Sequence, residues 1–187
     1  MDSELTTAIC DLADVFDQNS VPYLLGGSFA SSLHGIFRTT NDIDVLVEIE
    51  MLAGHPILSA LEKSFIVDSE ALVRNFAIKR SFNIFHSASA IKFDLFPSKL
   101  PFHRSELKRA IDVTLPSAPR AFKAATAEDI IIAKLMWNKT SASDRQIRDI
   151  LGVMNASSKT LDWEYLWKWA ELTDVQLQLK ELKDQIF

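Results

Sequence analysis

The sequence is short of several things, and each shortage closes off a class of protein. Cysteine occurs once, at Cys10, so no intramolecular disulfide can form and a reducing compartment, the cytoplasm, is the expected setting. Net positive charge is missing. The formal balance is -5, which argues against a broad basic face for duplex DNA, because affinity for a phosphate backbone comes from clustered Lys and Arg. No apolar run approaches the ~20 residues of a membrane span; the longest is Ile130 to Ala133, resuming at Leu135 to Trp137. The opening stretch carries Asp2, Glu4, Asp11, Asp14 and Asp17, whereas a secretory signal needs a basic start and an unbroken apolar segment. Gly-Lys-Ser/Thr does not occur, so there is no Walker phosphate loop. Glycine and proline number only 5 and 6, and nothing reads as disordered or low in complexity.

What is present is the balance of a globular protein, 48% apolar and 24% charged, in a chain long enough for one sizeable domain or a core with an appendage. Ile9, Leu12, Ala13 and Phe16 recur at helical spacing and predict a helix over about 4–18. Pro22 then opens the short apolar strand Tyr23-Leu24-Leu25, which runs into Gly26-Gly27 and a short helix to His34. The β-branched stretch Asp42 to Glu48 predicts a strand, and 50–63 a helix that Pro56 delays or bends. Ser64 to Asp68 is a weaker strand candidate. Ser81–His86 and Ala90–Phe96 predict two strands of a hairpin around Ser87-Ala88-Ser89. After a short helix from Phe102 and an extended stretch from Val113 to Phe122, the pattern is helical only. Thr126 and Asp129 form a capping box that starts a helix over 127–138, and further helices follow near 143–154, 162–171 and 174–185. The expected architecture is α/β (α+β): a mixed sheet flanked by helices in residues 1–124, then a helical subdomain over 125–187.

The chemistry concentrates where Leu25-Gly26-Gly27-Ser28 lies between strand and helix and is followed, after a short spacer, by Asp42-Ile43-Asp44. Side chains two apart on a strand share a face, so Asp42 and Asp44 stand together while Ile43, Val45 and Val47 face a core. At ~4 Å and an effective dielectric near 20, two like charges repel by about 4 kcal/mol, which a cation between them relieves. Oxygen donors with no His or Cys nearby in sequence favour Mg²⁺ or Mn²⁺ over zinc. Asp94 interrupts another apolar strand, Ile91 to Phe96. If that strand neighbours the first, Asp94 completes a triad able to bind a second metal and take the proton of an attacking hydroxyl.

These residues resemble the DNA polymerase β-like nucleotidyltransferase superfamily, through Gly27-Ser28, the spacer, Asp42-Ile43-Asp44 and the later Asp94. The resemblance implies that the Gly26-Gly27-Ser28 turn and its helix hold a triphosphate, that Asp42 and Asp44 bind the metals, and that Asp94 is metal ligand and base. More narrowly, Gly27-Ser28-Phe29-Ala30, His34-Gly35, Arg38-Thr39-Thr40-Asn41-Asp42-Ile43-Asp44, Lys92-Phe93-Asp94-Leu95-Phe96, Ala127 through Lys134, and Asp144 to Ile150 are similar to the AbiEii-like branch, known for toxins of toxin–antitoxin pairs. Together these blocks span roughly 25–155. The branch implies catalytic support from Lys134 and Asp149, and an antitoxin protein as a partner. The implied activity is magnesium-dependent transfer of a nucleoside monophosphate from an NTP to a hydroxyl on tRNA, a protein or a small molecule.

Blander readings stand beside these. Two aspartates at i and i+2 are often a solvated strand end, and Gly26-Gly27 can be a plain tight turn. Arg38 serves either the triphosphate or a structural ion pair, and Thr39 goes with it as a candidate substrate contact. Lys134 sits in an apolar helix and must snorkel, pair with a carboxylate or meet a phosphate. Trp163, Trp167 and Trp169 are expected to pack the tail rather than stack bases. Gly26-Gly27-Ser28-Phe29-Ala30 also approaches a nucleophile elbow, but it follows one strand where such elbows follow several. The alternative function is a catalytically weak or inactive protein of the same fold, acting as a nucleotide- or partner-binding module.

Overall fold

The structure is a computed structural model that describes residues 3–35, 42–50, 52–116 and 118–186. Among these residues the chain divides into two compact units: 1–25 with 40–124, and 26–39 with 125–187.

The first unit contains a seven-stranded sheet in the order β3-β4-β5-β2-β1-β7-β6. Its strands are β1 (Tyr23–Leu25), β2 (Asp42–Val47), β3 (Phe65–Ile66), β4 (Phe82–His86), β5 (Lys92–Pro97), β6 (Ile111–Val113) and β7 (Phe122–Ala124). The sheet is mixed. β2 runs parallel to β5 and antiparallel to β1, β1 runs parallel to β7, and the β4–β5 hairpin expected around Ser87–Ser89 is present as an antiparallel pair. Helix α1 (Ser3–Gln18) turns Ile9, Leu12, Ala13 and Phe16 inward, as its apolar spacing predicts, and packs against α3 (Ile57–Ser64) and β7. Arg120 ties the far end of α1 to the sheet through Asp14 and Asp17. α3 begins directly after Pro56, where the missing N–H costs nothing.

Two features extend the sequence reading. Helix α4 (Ser69–Ala77), capped by the Asp68 carboxylate accepting from the Ala71 N–H, buries only Leu72 and Phe76, a stripe too sparse to announce itself. The extended stretch around 113–122 holds two prolines, and pairing falls to its ends: β6 and β7 are antiparallel partners, with Pro116 and Pro119 between them where no ladder donor is needed. Helix α5 (Pro101–Arg109) packs on β1.

The second unit is helical: α2 (Gly27–His34), α6 (Ala127–Thr140), α7 (Asp144–Ala156), α8 (Trp163–Leu172) and α9 (Gln176–Lys183). α2 follows β1 without a gap in the chain, yet it packs on α6 and α7. The contact is close. A Cβ on Gly35 would come within 3.0 Å of the Gly152 carbonyl carbon and the Val153 nitrogen. The N-cap of α6 forms, with the Asp129 N–H donating to Thr126 Oγ1, but the Asp129 carboxylate accepts from the Thr126 hydroxyl rather than closing the box on the Thr126 N–H. Asp129, fully buried, also accepts from the Tyr165 hydroxyl of α8 at 2.5 Å. Trp163 and Trp167 lie against each other with centroids 6.4 Å apart, and Lys183 of α9 sits over Trp163 at 4.4 Å, an arrangement that packs the tail.

Candidate active site

Strand alternation places Asp42 and Asp44 on one face of β2, with Ile43, Val45 and Val47 buried on the other. The parallel pairing with β5 then supplies what the sequence left conditional. Asp44 is the direct ladder partner of Asp94, and Asp42 of Lys92. Directly opposed residues point to the same side of a sheet, so one patch carries Asp42, Asp44, Lys92 and Asp94, with Asn83 of β4 opposite Asp94 beyond them. Behind it, Ile43, Phe93 and Ile84 are all but fully buried. That apolar backing fixes the register, because a slip of one residue would turn both aspartates of β2 into the core.

The patch contains its own cation. Lys92 Nζ lies 2.9 Å from Asp94 Oδ2 and 3.5 Å from Asp42 Oδ2. The hydrogen bond to Asp94 is the main reason the Lys92 ammonium is held above the usual lysine range, against the opposing effect of burial. Lys92 is the residue that reading the sequence missed. Its signal was there: two positions before Asp94 on the same strand, it had to share that face. Asp94 is more enclosed than Asp42, its side chain 14% exposed against 47%, and its Oδ1 is buried with no hydrogen-bond partner.

A divalent cation suits these donors. The set is carboxylate oxygen only, the choice of Mg²⁺ or Mn²⁺, and a buried acceptor without a donor is a group that protein interiors rarely leave so. As the side chains stand, no three His, Cys, Asp or Glu groups are gathered at coordinating distance among the described residues. The fit therefore lies in backbone register and donor chemistry, with Lys92 drawing two of the carboxylates to itself.

The remaining candidates belong to the second unit. Gly27 opens α2 at φ 55°, a left-handed conformation that glycine adopts without strain. The turn is closed by the Ala30 N–H donating to the Gly26 carbonyl and by Ser31 Oγ donating to the Gly27 carbonyl at 2.8 Å. Ser28 follows in the first turn of α2, and its carbonyl accepts from Ser32 Oγ. Lys134, 5% exposed, donates from Nζ to Asp149 Oδ2 and Gln146 Oε1 of α7, both at 2.9 Å. The buried ammonium is thus paired, as its apolar helix required. Arg38 and Thr39 lie outside the described residues.

No protein-family model matches the sequence, and no curated protein sequence matches it. Solved structures do. The solution structure of the antibiotic-resistance factor ANT(2'')-Ia superposes with a TM-score of 0.56 at 16% identity, covering 99% of each chain. A crystal structure of an antigenic nucleotidyltransferase-like protein from Paracoccidioides brasiliensis gives 0.56 at 16% identity over 97% of this chain and 92% of that one. The crystal structure of ANT(2'')-Ia in complex with adenylyl-2''-tobramycin gives 0.55 at 15% identity over 94% and 99%. The mixed sheet with its flanking helices is a nucleotidyltransferase-type fold.

Proposed function

We propose that the protein is a magnesium- or manganese-dependent nucleotidyltransferase that moves a nucleoside monophosphate from an NTP to a hydroxyl. One observation carries the reading: the register that sets Asp94 directly opposite Asp44, with Asp42 on the same face. Neighbouring strands lie ~4.8 Å apart, and two carboxylates at that separation repel by about 3.5 kcal/mol at an effective dielectric near 20. Lys92 relieves part of that cost through Asp42 and Asp94, and a divalent ion would relieve the rest.

Asp42 and Asp44 are the residues that would hold the ion, with Asp94 as third ligand. Bound there, the ion supplies neutralising charge for the phosphate oxygens. The acceptor's hydroxyl oxygen attacks the α-phosphorus, the bond to the bridging oxygen breaks, and pyrophosphate leaves. Asp94 takes the hydroxyl proton, its unpartnered Oδ1 being the free acceptor. From the sequence resemblance, Gly26, Gly27, Ser28, Arg38 and Thr39 are assigned to the triphosphate, a helix start offering N–H groups and a dipole that favour phosphate. Lys134 offers a point charge whose position Asp149 and Gln146 fix.

The acceptor has two supports. The adenylyl-2''-tobramycin bound in one structural neighbour favours a small-molecule acceptor. The AbiEii-like blocks around Arg38 to Asp44, Lys92 to Phe96 and Asp144 to Ile150 favour tRNA or a protein, with a toxin role and an antitoxin partner. The single, buried Cys10 suits a reducing cytoplasm, and no helix among the described residues is long and apolar enough to cross a membrane.

The test is to incubate the protein with each α-labelled NTP, Mg²⁺ or Mn²⁺, and in separate arms total RNA, candidate proteins and aminoglycosides. Label is expected on one acceptor class and absent with Asp42→Asn/Asp44→Asn. Nucleotide binding with no transfer in any arm would establish the binding-module alternative instead.

A further inference from the structure

We propose that Lys92 is the built-in counter-charge of the acidic patch and competes with the divalent cation for its carboxylates, so that the metal binds well only together with the nucleotide. The inference rests on the metal reading above and names the residue that regulates that site.

Lys92 is placed by the same ladder that assembles the aspartates: it faces Asp42 across the β2–β5 pair and shares its strand face with Asp94. Its Nζ contacts one oxygen of each, and with 31% of its side chain exposed it has room to turn outward. A lysine ammonium and a divalent ion on the same carboxylates repel each other. Whether Lys92 swings out or stays, binding the metal works against it. A nucleotide's phosphates bring the negative charge that offsets both cations, so affinity for the metal–nucleotide complex gains where affinity for the bare ion does not. Without metal, Lys92 bridges Asp42 of β2 and Asp94 of β5, screens the repulsion between them and so steadies the strand pair.

The experiment is a Mn²⁺ titration of the full chain, followed by the electron paramagnetic resonance of free Mn²⁺, with and without a non-hydrolysable NTP analogue. Lys92→Gln is expected to tighten binding of bare Mn²⁺ by roughly tenfold and to narrow the gain conferred by the nucleotide. Lys92→Arg, which keeps the charge, is expected to stay near the parent, and Lys92→Met serves as a second neutral variant should the glutamine variant fail to fold. An unchanged or weaker Mn²⁺ affinity in the folded neutral variant, with binding abolished by Asp42→Asn/Asp44→Asn, overturns the role of Lys92 alone. Undiminished Mn²⁺ binding in the double aspartate variant overturns the metal reading beneath it.

Discussion

Replacing Lys134 by methionine separates the structural from the chemical use of this lysine. The substitution keeps the length and apolar stem of the side chain but removes the ammonium that Asp149 and Gln146 share. Asp149, 15% exposed, loses the ammonium that pairs with it at 2.9 Å. Removing one member of a buried ion pair costs about 3–5 kcal/mol. The residual access of Asp149 to water favours the lower end, about 3 kcal/mol. For a chain of this size each kcal/mol moves the melting temperature by roughly 2–4 °C, so a fall of about 6–12 °C is expected by calorimetry. The double variant Lys134→Met/Asp149→Leu carries no stranded charge and should regain most of the loss, giving a large coupling in the double-mutant cycle. A single variant that melts with the parent, or a double variant no more stable than the single, would refute the reasoning. Transfer activity in the stable double variant then reads the joint chemical contribution of Lys134 and Asp149 without interference from unfolding.

Gly35→Ala would force a methyl within 3.0 Å of backbone atoms of Gly152 and Val153. Main chain cannot rotate away, so a loss of about 1–3 kcal/mol is expected in urea denaturation, and an unchanged midpoint would show that α2 and α7 are not packed so tightly. His103, which accepts from the Lys99 N–H, is pushed down from its ordinary 6.5 to about 4 by burial, with Lys99 adding to the effect. The folded protein therefore resists taking a proton that the unfolded chain accepts. The stability linked to His103 is fully present above pH 6.5 and is lost as the pH falls through about 4. Denaturation midpoints at pH 7 and pH 4.5 should differ less in His103→Gln than in the parent, and an equal difference in both would remove His103 as the source.

Much of the local structure was legible because its causes are local. Alternation along Asp42 to Val47 decides that the two aspartates share a face, the Thr126–Asp129 spacing announces a capped helix, and the apolar repeat of α1 reads directly as its buried side. The metal proposal also starts at this level, since carboxylates two apart on a β-branched strand favour a hard cation. α4 escaped because two buried side chains make no stripe. The pairing of β2 with β5 belongs to another order of information. Residues far apart in the chain meet there in one register out of several that strand propensity alone allows, and only the apolar layer of Ile43, Phe93 and Ile84 selects it. The tertiary structure alone therefore decided that Asp94 stands opposite Asp44, that Lys92 lies among the carboxylates, and that α2 packs with the C-terminal helices through Gly35 and Gly152. Strand alternation and helix caps are fixed by neighbours a few residues away, whereas register and helix packing depend on which buried surfaces fit together.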